Sequence, residues 1–92
     1  MHTMIVTMTL DPAHRDEVDR HFRDQVSVWA KAQPGFVTGQ WLRSDDGTKG
    51  LGVVSFASNQ TATAAAAGPR TSLPAPAWSI DSVEIFEQIT QN

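Results

Sequence analysis

The sequence predicts an α+β sandwich of order β-α-β-β-α-β, in which a four-stranded antiparallel sheet carries both helices on one face. Three observations predict it. Residues 11–35 hold one long helical period, opened by Asp11-Pro12 and closed by Pro34-Gly35. Residues 2–10, 36–43, 50–57 and 78–90 have the alternation and β-branched content of strands. An alanine-rich stretch, 59–67, separates the third strand from the fourth. Two split β-α-β units with right-handed crossovers then place strands one and three at the centre of the sheet.

The first strand, HTMIVTMTL, turns Met4, Val6 and Met8 one way and Thr3, Ile5, Thr7 and Thr9 the other. Neither face is charged, so both sides are expected to be covered. In the helix that follows, Asp11 is the N-cap and Pro12 takes the first position, where a missing N–H costs nothing. Asp16 and Glu17 suit the positive end of the helix dipole and Lys31 the negative end. At about 100° per residue, Val18, Phe22, Val26 and Trp29 form an apolar stripe, with Val28 and Ala32 at its edge. The charged residues lie away from that stripe, and Asp16–Arg20, Asp19–Arg23 and Arg20–Asp24 are i,i+4 pairs worth about 0.2–0.5 kcal/mol each.

His14, His21 and Gln25 interrupt the apolar arc. His21 and Gln25 are four apart and stack on one side. One reading keeps His14 exposed and has His21 and Gln25 line the stripe's edge as satisfied polar groups. The other turns His21 and Gln25 into a cavity between helix and sheet, where an imidazole can bind a ligand or move a proton near neutral pH.

The second strand, FVTGQWLR, carries Phe36, Thr38, Gln40 and Leu42 on one face and Val37, Gly39, Trp41 and Arg43 on the other. Ser44-Asp45-Asp46-Gly47-Thr48 makes a hairpin turn into the third strand, GLGVVSFA. The alanine helix starts at Ser58 or Asn59 and ends at Gly68-Pro69. Its small side chains either bring it close to the sheet or leave space beneath it. Residues 68–77, with three prolines, read as a loop: a flap or a dimer contact, with Arg70 as its single charge. On the last strand, Ile80, Ser82, Glu84 and Phe86 share one face, and Asp81, Val83, Ile85, Glu87 and Ile89 the other. Glu84 and Glu87 are therefore not a carboxylate pair.

Ninety-two residues make one domain, 1–92, which buries about 60–65% of its unfolded surface and is marginal alone. With no cysteine for staples and much uncovered sheet, a homodimer is expected. The lack of cysteine also suits a reducing cytoplasm. Five Arg and two Lys are scattered in a chain of net charge −3, which argues against nucleic acid and anionic membrane as partners. No apolar run approaches a bilayer span, and the first residues lack signal-peptide character. HExxH, GxSxG and phosphate-loop patterns are absent, and His14 and His21 are too far apart along the helix to share a metal ion.

The phrases MIVTMTLDP, AQPGF, VTGQWLRSDDGTKGLGVVSFAS and SIDSVEIFEQI span essentially the whole chain. In them the sequence resembles the antibiotic-biosynthesis monooxygenase (ABM) family of the dimeric α+β barrel superfamily. The resemblance implies a ferredoxin-like subunit, a homodimer whose paired sheets form a barrel, and a pocket within each subunit between helices and sheet. Some members oxidise aromatic polyketides with oxygen and neither metal nor flavin; others bind and degrade haem. Haem-degrading members use an asparagine on the first strand, a tryptophan on the second helix and an axial histidine after it. Here the first strand has no asparagine, Ala62–Ala67 has no tryptophan, and no histidine follows His21.

The resemblance therefore implies a cofactor-independent, monooxygenase-like protein that acts on or binds a small apolar or aromatic molecule. His21 is its base or hydrogen-bond partner, Gln25 orients the ligand, and Phe22, Trp29, Trp41 and Phe56 are pocket walls. The alternative is a dimeric module that binds a small ligand, or only shields a partner, without catalysis. It draws on the lack of any nucleophile, metal site or paired acids.

Overall fold

The computed structural model describes all 92 residues, Met1–Asn92. Four strands, β1 (His2–Leu10), β2 (Phe36–Arg43), β3 (Lys49–Phe56) and β4 (Trp78–Glu87), form one antiparallel sheet in the order β2-β3-β1-β4. Strands one and three are central, as expected: β1 carries no Asp, Glu, Lys or Arg, and the one charge of β3, Lys49, is at its end. Met4, Val6, Met8 and Leu10 all turn inward from β1 and are buried, and Val54 and Phe56 join them from β3. The helices supply Val18, Ala30, Ala62, Ala65 and Ala66 to the same core.

Residues 12–31 form a helical rod that is not uniform. A 3-10 turn, Pro12–His14, leads into α-helix Arg15–His21, a π-helical turn Phe22–Val26, and α-helix Ser27–Lys31. Asp11 caps the start by accepting from the amide of Ala13. In the wide turn, the amide of Ser27 reaches back five residues to the carbonyl of Phe22. Such a turn admits one extra residue and shifts the phase of everything after it. Val18, Phe22, Val26 and Trp29 keep the inward side read for them, and the edge of the stripe is corrected. Ala30 is fully buried, whereas Ala32 and Val28 are exposed. The two halves are anchored separately, the first by buried Val18 and the second by Trp29 and Ala30.

The expected i,i+4 ion pairs are not formed. Asp19 instead crosses to Arg43 on β2, and the remaining ion pair is His14 with Asp11, at 2.9 Å. A cross-element pair fixes the helix to the sheet edge, which pairs confined to the helix surface do not.

Gly35 has φ +77°, the left-handed conformation that ends the rod and that glycine adopts without strain. A β-carbon here would also lie 2.6 Å from Oγ1 of Thr61. The second helix, Asn59–Thr71, opens with a reciprocal capping box between Ser58 and Thr61. It does not stop at Gly68-Pro69 but continues to Thr71, which shortens the expected 68–77 loop. Its alanines settle the spacing question: Ala62, Ala65 and Ala66 are essentially inaccessible, so this part of the helix lies close on the sheet.

Two strand readings change face. A bulge between Phe36 and Thr38 turns Phe36 inward, where its ring meets Phe56 edge-on at 6.5 Å. A second irregularity opposite Thr7/Met8 leaves Asp81 outside the ladder, with its carboxylate accepting from the hydroxyl of Thr9 at 2.7 Å. Beyond it Ile80 shares the inner face with Val83 and Ile85. One inserted residue moves every later side chain to the other face.

The outer sheet face carries Ile5, Leu51 and Val53 among hydroxyl side chains, with Leu42 and Phe86 about half exposed. No helix is long and apolar enough to cross a membrane.

Candidate functional site

A cavity of about 260 Å³ lies between the helices and the inner face of the sheet, open on one side. Its floor is Met4, Val6 and Met8 of β1 with Gly52 and Val54 of β3. One wall is the first helix, through His21, Phe22, Gln25, Val26 and Trp29. Three of those five, Phe22, Gln25 and Val26, belong to the π-helical turn. The opposite wall is the end of the second helix, Gly68, Pro69 and Ser72, and the rim is Trp41, Trp78 and Ile80.

Glycine makes the space. A β-carbon on Gly68 would lie 2.5 Å from Cζ2 of Trp29, so the indole occupies the place a side chain would fill. Trp41 lies along the strand surface above Gly39 and Gly52, whose β-carbons would come within 3.0 and 3.4 Å of the indole. Three indoles therefore frame a mostly apolar cavity whose polar side chains are His21, Gln25 and Ser72, a shape and polarity suited to a flat apolar ligand.

His21 is the one titratable residue in the lining. Its ring stacks on the indole of Trp78, with centroids 4.1 Å apart and planes 18° from parallel, and touches Phe22 at 5.6 Å. Loss of hydration beneath those rings lowers its pKa below the usual 6.5, partly offset by the side chain of Gln25. The imidazole is therefore neutral at pH 7 and able to accept a proton. No carboxylate pairs with it.

Of the residues expected at a site, His21, Gln25, Phe22, Trp29 and Trp41 all border this cavity. Phe56 does not. It is completely buried against Phe36 below the floor, a core residue and not a pocket wall. His21, half-buried, and Gln25, exposed, both border the cavity from the edge of the helix. Trp78, Gly68 and Ser72 were not anticipated as walls. The two latter fell in a stretch read as loop, and Trp78 begins a strand that gives no sign of standing opposite His21. His14 stays exposed beside Asp11. No group of three His, Asp or Glu side chains is placed to hold a metal ion.

No protein-family profile matches the sequence, and no curated protein does. Solved structures do. The chain is similar to the haem degrader MhuD of Mycobacterium tuberculosis, solved with two haems in its active site, at TM-score 0.75 and 19% identity over 100% of this chain and 99% of that one. It is also similar to a monooxygenase from the gene ActVA-Orf6 of Streptomyces coelicolor, solved with the ligand nanaomycin D. There the TM-score is 0.68 and the identity 19%, over 99% of this chain and 89% of that one. At such identity the likeness defines the fold, a ferredoxin-like α+β subunit shared along the full chain.

Proposed function

We propose that the protein is an ABM-type, cofactor-independent monooxygenase-like protein that takes a small planar aromatic molecule into the cavity between its helices and sheet. The observation that carries this reading is the placement of one neutral imidazole in an otherwise uncharged, indole-framed cavity. The likeness to a monooxygenase solved with nanaomycin D supports it.

His21 accepts a proton from a phenol or an activated methylene of the bound ligand, while Gln25 and the indoles hold the ring system. The resulting anion is electron-rich enough to reduce oxygen directly. For a methylene centre, one methylene and one dioxygen give one carbonyl and one water. One oxygen atom enters the carbonyl, the other leaves as water with the two methylene hydrogens, and every electron comes from the substrate. Desolvation suits the step twice, because it keeps His21 unprotonated and leaves the anion without a hydration shell.

The cavity is less suited to haem, which MhuD binds. No Arg or Lys lines it to meet two propionates, the second-helix wall of Gly68, Pro69 and Ser72 offers no axial donor, and His21 on the first helix is the one imidazole in the lining.

A second copy of the chain covers the outer sheet face. The support is the half-exposed Leu42 and Phe86 beside Ile5, Leu51 and Val53, on a chain too short to afford so much wet apolar surface. The lack of cysteine suits the cytoplasm.

A binding protein without catalysis is the second reading, favoured by the absence of any carboxylate to orient His21. Oxygen uptake with anthrone, compared between wild type and His21→Ala, separates the two. Uptake that depends on His21 supports the enzyme; tight binding with no uptake supports the carrier; no binding of anthrone removes both.

A further inference from the structure

A second cavity, larger and more open at about 550 Å³, lies between the first helix and the β2 edge. It shares two walls with the first cavity, the ring of Phe22 and the indole of Trp41. The chemistry changes across that partition. The first cavity has His21 as its one ionisable group, whereas the second is lined by Asp19, Arg23 and Arg43. Asp19 is already paired with Arg43, and Arg23 has no ion-pair partner, so the three charges leave one net positive.

We propose that this second cavity is the subsite for an acidic arm of the aromatic ligand. The substrate class is then a planar polycyclic phenol carrying a carboxylate, its rings among the indoles and its carboxylate at Arg23 and Arg43. The inference rests on the reading of the first cavity given above. Arg43 has five N–H donors, enough to keep Asp19 and still meet a second carboxylate. Arg23 supplies the charge that Asp19 does not cancel. The inference requires the acidic arm to pass between Phe22 and Trp41, the two residues that border both cavities, and a ligand without such an arm gains nothing from the second.

The test is equilibrium binding, by quenching of tryptophan fluorescence, of 1,8-dihydroxyanthraquinone and of its 3-carboxylic acid. The readout is the ratio of the two Kd values. Wild type is expected to prefer the acid by about fivefold, the scale of a partly exposed ion pair, and the preference should shrink in 0.5 M salt, well beyond the screening of physiological buffer. Arg23→Gln should reduce the ratio. The combined change of Arg23→Gln, Arg43→Gln and Asp19→Asn, which leaves no orphaned charge, should bring it to one. Equal binding of the two probes by wild type, or a preference that survives the triple change, overturns the subsite alone. Failure of wild type to bind either probe overturns the first-cavity reading and this inference with it.

Discussion

The imidazole of His21 lies flat against the indole of Trp78, 4.1 Å between ring centres, so a residue from the first helix and one from the last strand share a single surface at the cavity rim. Removing the indole should therefore be felt as a titration. In Trp78→Ala the imidazole is rehydrated and its pKa moves up toward 6.5. The checking measurement is the histidine Cε1 proton shift followed by NMR against pH; an unchanged midpoint would contradict the cause assigned to the shift.

A lowered histidine pKa also sets the sign of two pH dependences. Folded His21 binds a proton less readily than the unfolded chain does, so its contribution to stability is complete above about pH 6.5 and declines as the pH falls through the lower folded value. The proton-accepting activity should fall over that same acid limb. His21→Gln is expected to flatten the stability profile there and to lower oxygen uptake by about a hundredfold. Denaturant melts and uptake rates between pH 5 and pH 8, a range of about one and a half units on either side of 6.5, check both.

Gly68 and Phe56 should separate shape from core. Gly68→Ala places a methyl where Trp29 now lies and forces the indole, a wall of the cavity, to shift. The expectation is a cost of about 1–3 kcal/mol and a clear loss of anthrone affinity. Phe56→Ala removes a fully buried ring and should cost about 3–5 kcal/mol, without the ligand losing a wall contact. Chemical denaturation and fluorescence binding on each variant distinguish the two patterns.

Asp46 offers a test outside both proposed ligand cavities. Its carboxylate accepts from the Ser44 hydroxyl and from both the amide and hydroxyl of Thr48, and backbone donation from Thr48 leads in holding its pKa at about 2. The stability it confers is present above the unfolded value of 3.8 and is lost as the pH falls toward 2. Asp46→Ala should thus lower Tm at neutral pH and leave a shallower decline across that acid window, both readable by calorimetry.

The outer sheet face gives an assembly test. Val53 sits on β3 between Ile5 of β1 and Gln40 of β2 in the middle of that face. Val53→Glu places a charge in the proposed subunit contact and should convert a dimer to a monomer by sedimentation velocity. A wild-type chain that already sediments as a monomer would remove the contact.

Regular pattern was legible in the chain, and insertions were not. The inward run Met4, Val6, Met8, the central positions of β1 and β3, and the Gly35 stop all follow from periodicity or from a required backbone angle. The two bulges and the π-helical turn each add one residue without a chemical marker; FRDQV contains nothing that a plain α-helix would refuse. The end of the second helix was hidden for a related reason. Gly68-Pro69 reads as a stop, yet the helix runs two residues past Pro69, and the hydroxyls of Thr71 and Ser72 bond the carbonyls of Ala67 and Gly68. His21, Gln25, Trp29 and Trp41 could be named in advance because helix spacing and strand alternation place them inward. Trp78 and Ser72 depended on tertiary geometry that local sequence does not carry.

The widened turn at Phe22–Val26 has a consequence for how this wall can be gained or lost. Excising any one of those five residues would restore an uninterrupted α-helix and rotate one half of the rod against the other by about 100°. Val18 and His21, or Trp29 and Ala30, would then turn away from the sheet. A single codon is thus the interval between a rod that merely covers its sheet and one that presents a chamber.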